Sequence, residues 1–178
     1  LNIEEINPAG VTRTLTTTSG GSFLYNISTA VVDPYTGYVW VLGVYSPATH
    51  YGFGIVKATD VTPTIDIITT GTLASLLSPT QIVFVASLDQ MAVIFAGAGV
   101  IHFYDLTGVL VNTVPYTPGG GTPSSICYDA TNDKILIGRS NTTIEVLNAD
   151  GTPDTAFLIS GVVSGSVSAM VESGGDLY

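Results

Sequence analysis

Fourteen carboxylates face four cations in this 178-residue chain, and the net charge is -10. The chemistry such a set could do is calcium binding, since Ca²⁺ collects several oxygen ligands at close range. Asp150 and Asp154 flank one turn and are the pair from which a site would be built. No D-x-D-x-D-G-x5-E loop surrounds them. The acids Asp33, Asp89, Asp129, Asp133, Asp150, Asp154 and Asp176 come at strand ends and turns, where a short carboxylate hydrogen-bonds its own backbone. The expectation is no resident cofactor, with Ca²⁺ on Asp150 and Asp154 as the one ionic alternative.

Other reactive types are scarce. His50 and His102 have no sequence neighbours that would complete a metal or proton-transfer site. His102 alternates with Ile101 and Phe103, as in a strand. Cys127 excludes an internal disulfide framework and a CxxC motif, and reads as a small buried hydrophobe with no basic neighbour to activate it. There is no G-x-S-x-G elbow, H-E-x-x-H pair or P-loop. Gly119-Gly120-Gly121 lies between Pro118 and Pro123 and opens no helix. The expectation is a chain without catalytic residues.

Binding candidates are aromatic. Tyr45, His50 and Tyr51 fall in an expected insertion over residues 44–52 and form a candidate contact surface for sugar or protein, because rings offer rigid apolar area at low entropy cost. Trp40, between Val39 and Val41, reads as core. Asn26-Ile27-Ser28 and Asn141-Thr142-Thr143 fit the N-glycosylation pattern.

Composition narrows the partners. Charged residues are 10% of the chain, against about 25% in an average soluble protein. Arg13, Lys57, Lys134 and Arg139 are too few and too scattered to neutralise a run of phosphates, so nucleic acid is excluded as a partner. An anionic membrane surface would repel the chain for the same reason. A hydrophobic fraction of 46% excludes a disordered chain. No apolar run reaches the roughly 18–20 residues of a membrane span; the longest, 82–86 and 91–95, are split by Ser87, Asp89 and Gln90. Few lysines, 24 Thr, 15 Ser and 20 Gly suit an extracellular, cell-surface or virion location. The chain starts at Leu1 without Met or signal peptide, which reads as a processed or truncated start.

The elements that must position these residues are short strands in a repeated order. Residues 124–129, a turn at Ala130-Thr131-Asn132-Asp133, then 134–138, 142–148, an Ala149-Asp150-Gly151 turn and 152–157 spell strand, turn, strand, loop, strand, turn, strand. Residues 81–87, 91–96, 100–105 and 109–114 repeat that order, and so do 28–32, 38–43, 53–57 and 64–69. Gly97 and Gly138 lie 41 apart, Gly108 and Gly151 lie 43 apart, and Asp129 and Glu172 lie 43 apart. Four strands per ~40–45 residues is the signature of a β-propeller blade. The division is 21–72, 73–117 and 118–160 as full repeats, with half repeats at 1–20 and 161–178, in one β-repeat domain. The two halves close a ring of about four blades, or the chain is a window from a longer propeller. The only helical candidate is a turn at 73–77, ahead of Pro79.

Glu145-Val146-Leu147-Asn148-Ala149-Asp150-Gly151-Thr152-Pro153-Asp154-Thr155-Ala156-Phe157 resembles the delta-60 repeat of bacterial propeller-like proteins. Asn132-Asp133-Lys134-Ile135-Leu136-Ile137-Gly138 is similar to the repeat's second element, and Gly174-Gly175-Asp176-Leu177-Tyr178 is a looser copy. The resemblance implies a propeller in surface, secreted or phage-like proteins, with no shared catalytic residues to carry over.

The expected fold is all-β and propeller-like, with a two-sheet, pilin-like sandwich as the alternative. Sequential pairing within each repeat marks the first, and pairing of distant strands marks the second. The expected function is a non-catalytic structural and recognition module of an extracellular filament, cell surface or virion. It associates with itself or with other surface proteins. A carbohydrate- or receptor-binding propeller and a propeller-based hydrolase are the alternatives.

Overall fold

The computed structural model describes residues 2–6, 12–16, 24–45, 50–56, 65–69, 79–115, 122–156, 165–174 and 176–178, with side chains placed in 29–42 and from 79 onward. Among the described residues every regular element is a β-strand. The chain divides into two compact units, Leu1–Leu76 and Leu77–Tyr178.

In the first unit, β1 (Asn2–Ile6) and β2 (Thr12–Thr16) form a hairpin. The strands β3 (Leu24–Val32), β4 (Val39–Tyr45), β5 (His50–Val56) and β6 (Ile65–Thr69) form a sheet in that order, each antiparallel to the next. Asp33 closes the β3–β4 turn. Its Oδ1 accepts the Tyr35 N–H at 2.8 Å and its Oδ2 accepts the Thr36 hydroxyl at 2.5 Å. Asp33 is fully buried, so its carboxylate relies on these donors instead of water. Trp40, Val41 and Leu42 are also fully buried, and Trp40 belongs to the core as its flanking residues indicate.

In the second unit, β7 (Gln81–Val85), β8 (Gln90–Phe95), β9 (Val100–Asp105) and β10 (Leu110–Pro115) form a second four-stranded meander. Next come β11 (Pro123–Asp129), β12 (Lys134–Arg139) and β13 (Ile144–Asn148), also in sequential order, and then the short hairpin of β14 (Glu172–Ser173) and β15 (Asp176–Leu177). The 152–157 stretch, expected as a fourth strand, holds only one bridge among its described residues, Leu147 to Pro153. The turn at 73–77 lies outside the described residues.

Sequential pairing throughout overturns the sandwich alternative. The chain is all-β and built of propeller-type antiparallel units. Layering in the second unit agrees. One face of the β7–β10 sheet (Val85, Ala92, Ile94, Ile101, Phe103) packs on one face of the β11–β13 sheet (Ile126, Ile135, Ile137, Leu147). The other face of β11–β13 (Cys127, Leu136, Val146) packs on Met170 and Leu177. Strands β7–β9 are buried on both sides, since Ile82, Met91, Val93, Phe95, His102 and Tyr104 cover the second face and are buried as well. This is why Met91–Phe95 reads as an unbroken apolar run instead of alternating. Each such side chain contributes about 1.5–3 kcal/mol on burial.

Candidate functional site

The residues expected to bind sugar or protein sit on strands, not in a loop. Tyr45 ends β4 and lies directly opposite His50, the first residue of β5, while Val44 pairs with Tyr51 and Gly43 with Gly52. Residues 43–45 and 50–52 therefore extend a hairpin ladder. Backbone pairing there needs no particular side chain, so Gly and Ser-Pro signals alone suggested a loop. The side chains of Tyr45, His50 and Tyr51 lie outside the described residues. Asn26 falls in β3, in the stretch where the register with β4 shifts between Tyr25 and Thr29.

The acids of the second unit gather at one end. The turns after β7, β9, β11 and β13 carry Asp89, Asp105, Asp129, Asp133 and Asp150. The two sheets run side by side in the same sense: the Ser87 hydroxyl donates to Asp133 Oδ1 at 2.6 Å across the sheets, and Gln81 Nε2 donates to the Ser124 carbonyl near the opposite end. Tyr128 Oη is a second donor to Asp133 Oδ1, also at 2.6 Å. The Ser87 and Tyr128 hydroxyls hold the Asp133 carboxyl below its usual range. This tie joins residues 46 apart in sequence, and no local signal announces it.

Asp150 and Asp154 each have contacts of their own. Asp150 Oδ1 accepts the Thr152 hydroxyl at 2.7 Å and the Thr152 N–H at 2.9 Å, which hold its carboxyl low. Asp154 Oδ2 pairs with Lys134 Nζ at 2.7 Å, and its Oδ1 accepts the Ala156 N–H. Asp105 is similar: burial pushes its carboxyl up, but hydrogen bonds from Thr107 and from the Val109 and Gly108 backbone outweigh that and hold it low. Asp129, 4% exposed, caps its turn through the Thr131 and Asn132 N–H groups at 3.0 Å. Among the described residues, no three of His, Cys, Asp and Glu come together as a metal-holding group.

His102 is buried on β9, with Nδ1 3.0 Å from Tyr104 Oη and its ring 4.6 Å from that of Phe95. Burial pushes its pKa below 6.5. The unfolded chain then binds the extra proton more readily, so this contribution to stability is complete above pH 6.5 and is lost as the pH falls toward the folded value. Denaturant midpoints are expected to drop between pH 7.5 and 5, and His102→Phe to flatten that drop. An unchanged slope in the variant would show that His102 is not its source.

Cys127 is buried, and burial first, then Asp129 and Glu172, push its thiol up to about 12. The native protein is expected to resist a thiol reagent at pH 8 and to react fully once unfolded. Stoichiometric labelling within minutes under native conditions would contradict this.

Two features escaped sequence reading altogether. Arg139 is 1% exposed and pairs with Glu145 across the β12–β13 hairpin. Val109, just before β10, and Leu110 and Val111 on it are 60%, 48% and 52% exposed in succession, at the outermost strand of its sheet. Asn141 heads the exposed β12–β13 turn, where the Thr143 hydroxyl donates to its Oδ1 at 2.6 Å. A cleft of about 290 Å³ lies between Ile144 and the segment carrying Val167, Met170 and Leu177.

No family model and no curated protein matches this chain. Solved structures do. A gluconolactonase of Xanthomonas campestris is 15% identical with a TM-score of 0.68, covering 94% of this chain and 57% of its own. A luciferin-regenerating enzyme is 12% identical with a TM-score of 0.66, covering 98% and 60%. The BBS1N chain solved with ARL6DN is 16% identical with a TM-score of 0.51, covering 96% and 50%. The chain thus spans one half to three fifths of the length of these neighbours, and the likeness is one of fold.

Proposed function

We propose that this chain is a non-catalytic recognition module of an extracellular filament, cell surface or virion, making contacts through its outer strands. The observation that carries this reading is the β10 surface. Three consecutive exposed apolar residues, Val109, Leu110 and Val111, lie in a stretch from Leu106 to Thr122 without a single charge, on a chain of net charge -10. Apolar side chains left exposed on an outer strand are available for contact with another macromolecule. The likeness of residues 145–157 to the delta-60 repeat of surface and phage-like proteins supports the same reading.

The test is fractionation of the native source. The chain is expected to co-purify with a filament, envelope or particle. Val109→Ser, Leu110→Ser and Val111→Ser together are expected to release it while its melting curve stays in place. Recovery of the unaltered chain only as a free, discrete monomer would sink the reading. In a host that glycosylates surface proteins, Asn141 on its exposed turn is the expected acceptor.

The fold likeness to a gluconolactonase favours a propeller-based hydrolase as the second reading. Lactone turnover by the purified chain, lost on replacing Asp129 or Asp133, would establish it in place of the first. A glycan array probes the carbohydrate-binding alternative, which would use the end of the β4–β5 hairpin at Tyr45, His50 and Tyr51.

A further inference from the structure

An outermost strand presents unpaired N–H and C=O groups to any other strand, and proteins blunt such edges with bulges, prolines or charges. β10 carries no charge, and Val109-Leu110-Val111-Asn112-Thr113-Val114 is rich in β-branched residues. By composition it is a sticky edge, and the strand most complementary to it is a second copy of itself. Three features of the backbone work against that pairing. The register with β9 shifts between Leu110 and Asn112, so Val111 has no partner on β9 and the edge is bent at that point. Pro115 ends the strand without an N–H to offer, the position a proline takes when its nitrogen side faces away from the sheet. Thr113, two residues before it, shares that side of the strand by the two-residue period, and its N–H is taken at 2.8 Å by Asn112 Oδ1.

We propose that Asn112 is an edge guard: its side-chain carbonyl occupies the Thr113 N–H and, with the bulge and Pro115, keeps β10 from pairing with the β10 of a second copy. The exposed side chains of Val109–Val111 stay open to contact while the backbone edge is closed to strand addition. The inference concerns the backbone alone and stands or falls separately from the function proposed above.

Sedimentation of the full chain and of Asn112→Val/Pro115→Thr is the main test. The unaltered chain is expected to show no association that Val111→Lys abolishes. The double variant is expected to form concentration-dependent dimers or larger species, and adding Val111→Lys is expected to return it to the original state. A double variant with unchanged association overturns the proposal, as does an unaltered chain whose self-association disappears in Val111→Lys. Pairing of the double variant with foreign strands alone would also overturn it, since the second copy is then not the species excluded. Hydrogen exchange covers the case in which the double variant fails to fold. The Thr113 amide is expected to exchange about five- to tenfold faster in Asn112→Ala than in the unaltered chain. Equal rates would show that Asn112 guards nothing.

Discussion

Arg139→Ala is expected to lower the stability of the second unit by about 3–5 kcal/mol, with a fall in Tm of roughly 15–20 °C. Arg139 is one of four cations in the chain and is 1% exposed, paired with Glu145, whose side chain is 21% exposed. Removing the guanidinium deletes a large packed side chain and deprives Glu145 of its partner. The main chain around it adds to the effect. The Arg139 N–H donates to the Thr143 carbonyl at 3.0 Å, and the Arg139 carbonyl accepts the Val167 N–H at 3.2 Å, so the residue joins the β12–β13 turn to the segment leading into β14. Thermal or urea unfolding measures the loss. Arg139→Met with Glu145→Leu is expected to recover most of it, because an apolar pair of similar volume escapes the desolvation penalty of two ions. Equal losses in the single and double variants would mean that the ion pair itself, and not packing volume or a stranded carboxylate, accounts for the effect.

Gly138→Ala is expected to cost about 3 kcal/mol, the high end for a single added methyl group. A Cβ at this position would stand 2.3 Å from Ser125 Oγ and 2.5 and 2.8 Å from Val167 Cγ1 and Cβ. The serine hydroxyl can rotate away, but the Val167 Cβ moves only with its backbone. That backbone is held by the Arg139 carbonyl, and its own carbonyl accepts the Ser124 and Ser125 hydroxyls at 2.5 and 3.1 Å. The predicted remedy is at the same contact: Val167→Gly in the Gly138→Ala background should be less harmful than the sum of the two changes, with a coupling of about 1–2 kcal/mol. Strict additivity would show that the close approach relaxes elsewhere. Gly151 is needed for a different reason. Its φ of +84° is left-handed, and a Cβ there would stand 3.0 Å from the Phe103 ring of the neighbouring sheet.

These two sites show where reading the sequence stops. The Asp33 and Asp129 turns were visible as Asp at a strand end followed by Pro34-Tyr35-Thr36-Gly37 or Thr131-Asn132, because an Asx cap is a local geometry of four or five residues. The hairpins were visible because turn chemistry and strand period are local too. The sheet order followed from them, and it excludes the sandwich. The loop expected at 44–52 is strand at Val44, Tyr45 and His50 to Gly52, because hydrogen-bonded ladders form between backbones, and glycines with Ser-Pro do not prevent strands on either side. The candidate ligands Asp150 and Asp154 flank one turn, but Asp154 pairs with Lys134, twenty residues earlier and two strands away.

The sequence by itself determined that this protein is a series of antiparallel sheets of neighbouring strands, low in charge and capped by acids at its turns. Each of those properties is written within a span of a few residues. Only the tertiary structure decided that Arg139 is buried, that Gly138 receives Val167, that Ser87 reaches Asp133 and that β10 is left uncovered. Such facts depend on which sheet face meets which, and stacking brings together residues that share no local pattern. The β10 strand makes the point most simply: its sequence suits a buried strand, and its place as the last in the sheet exposes it.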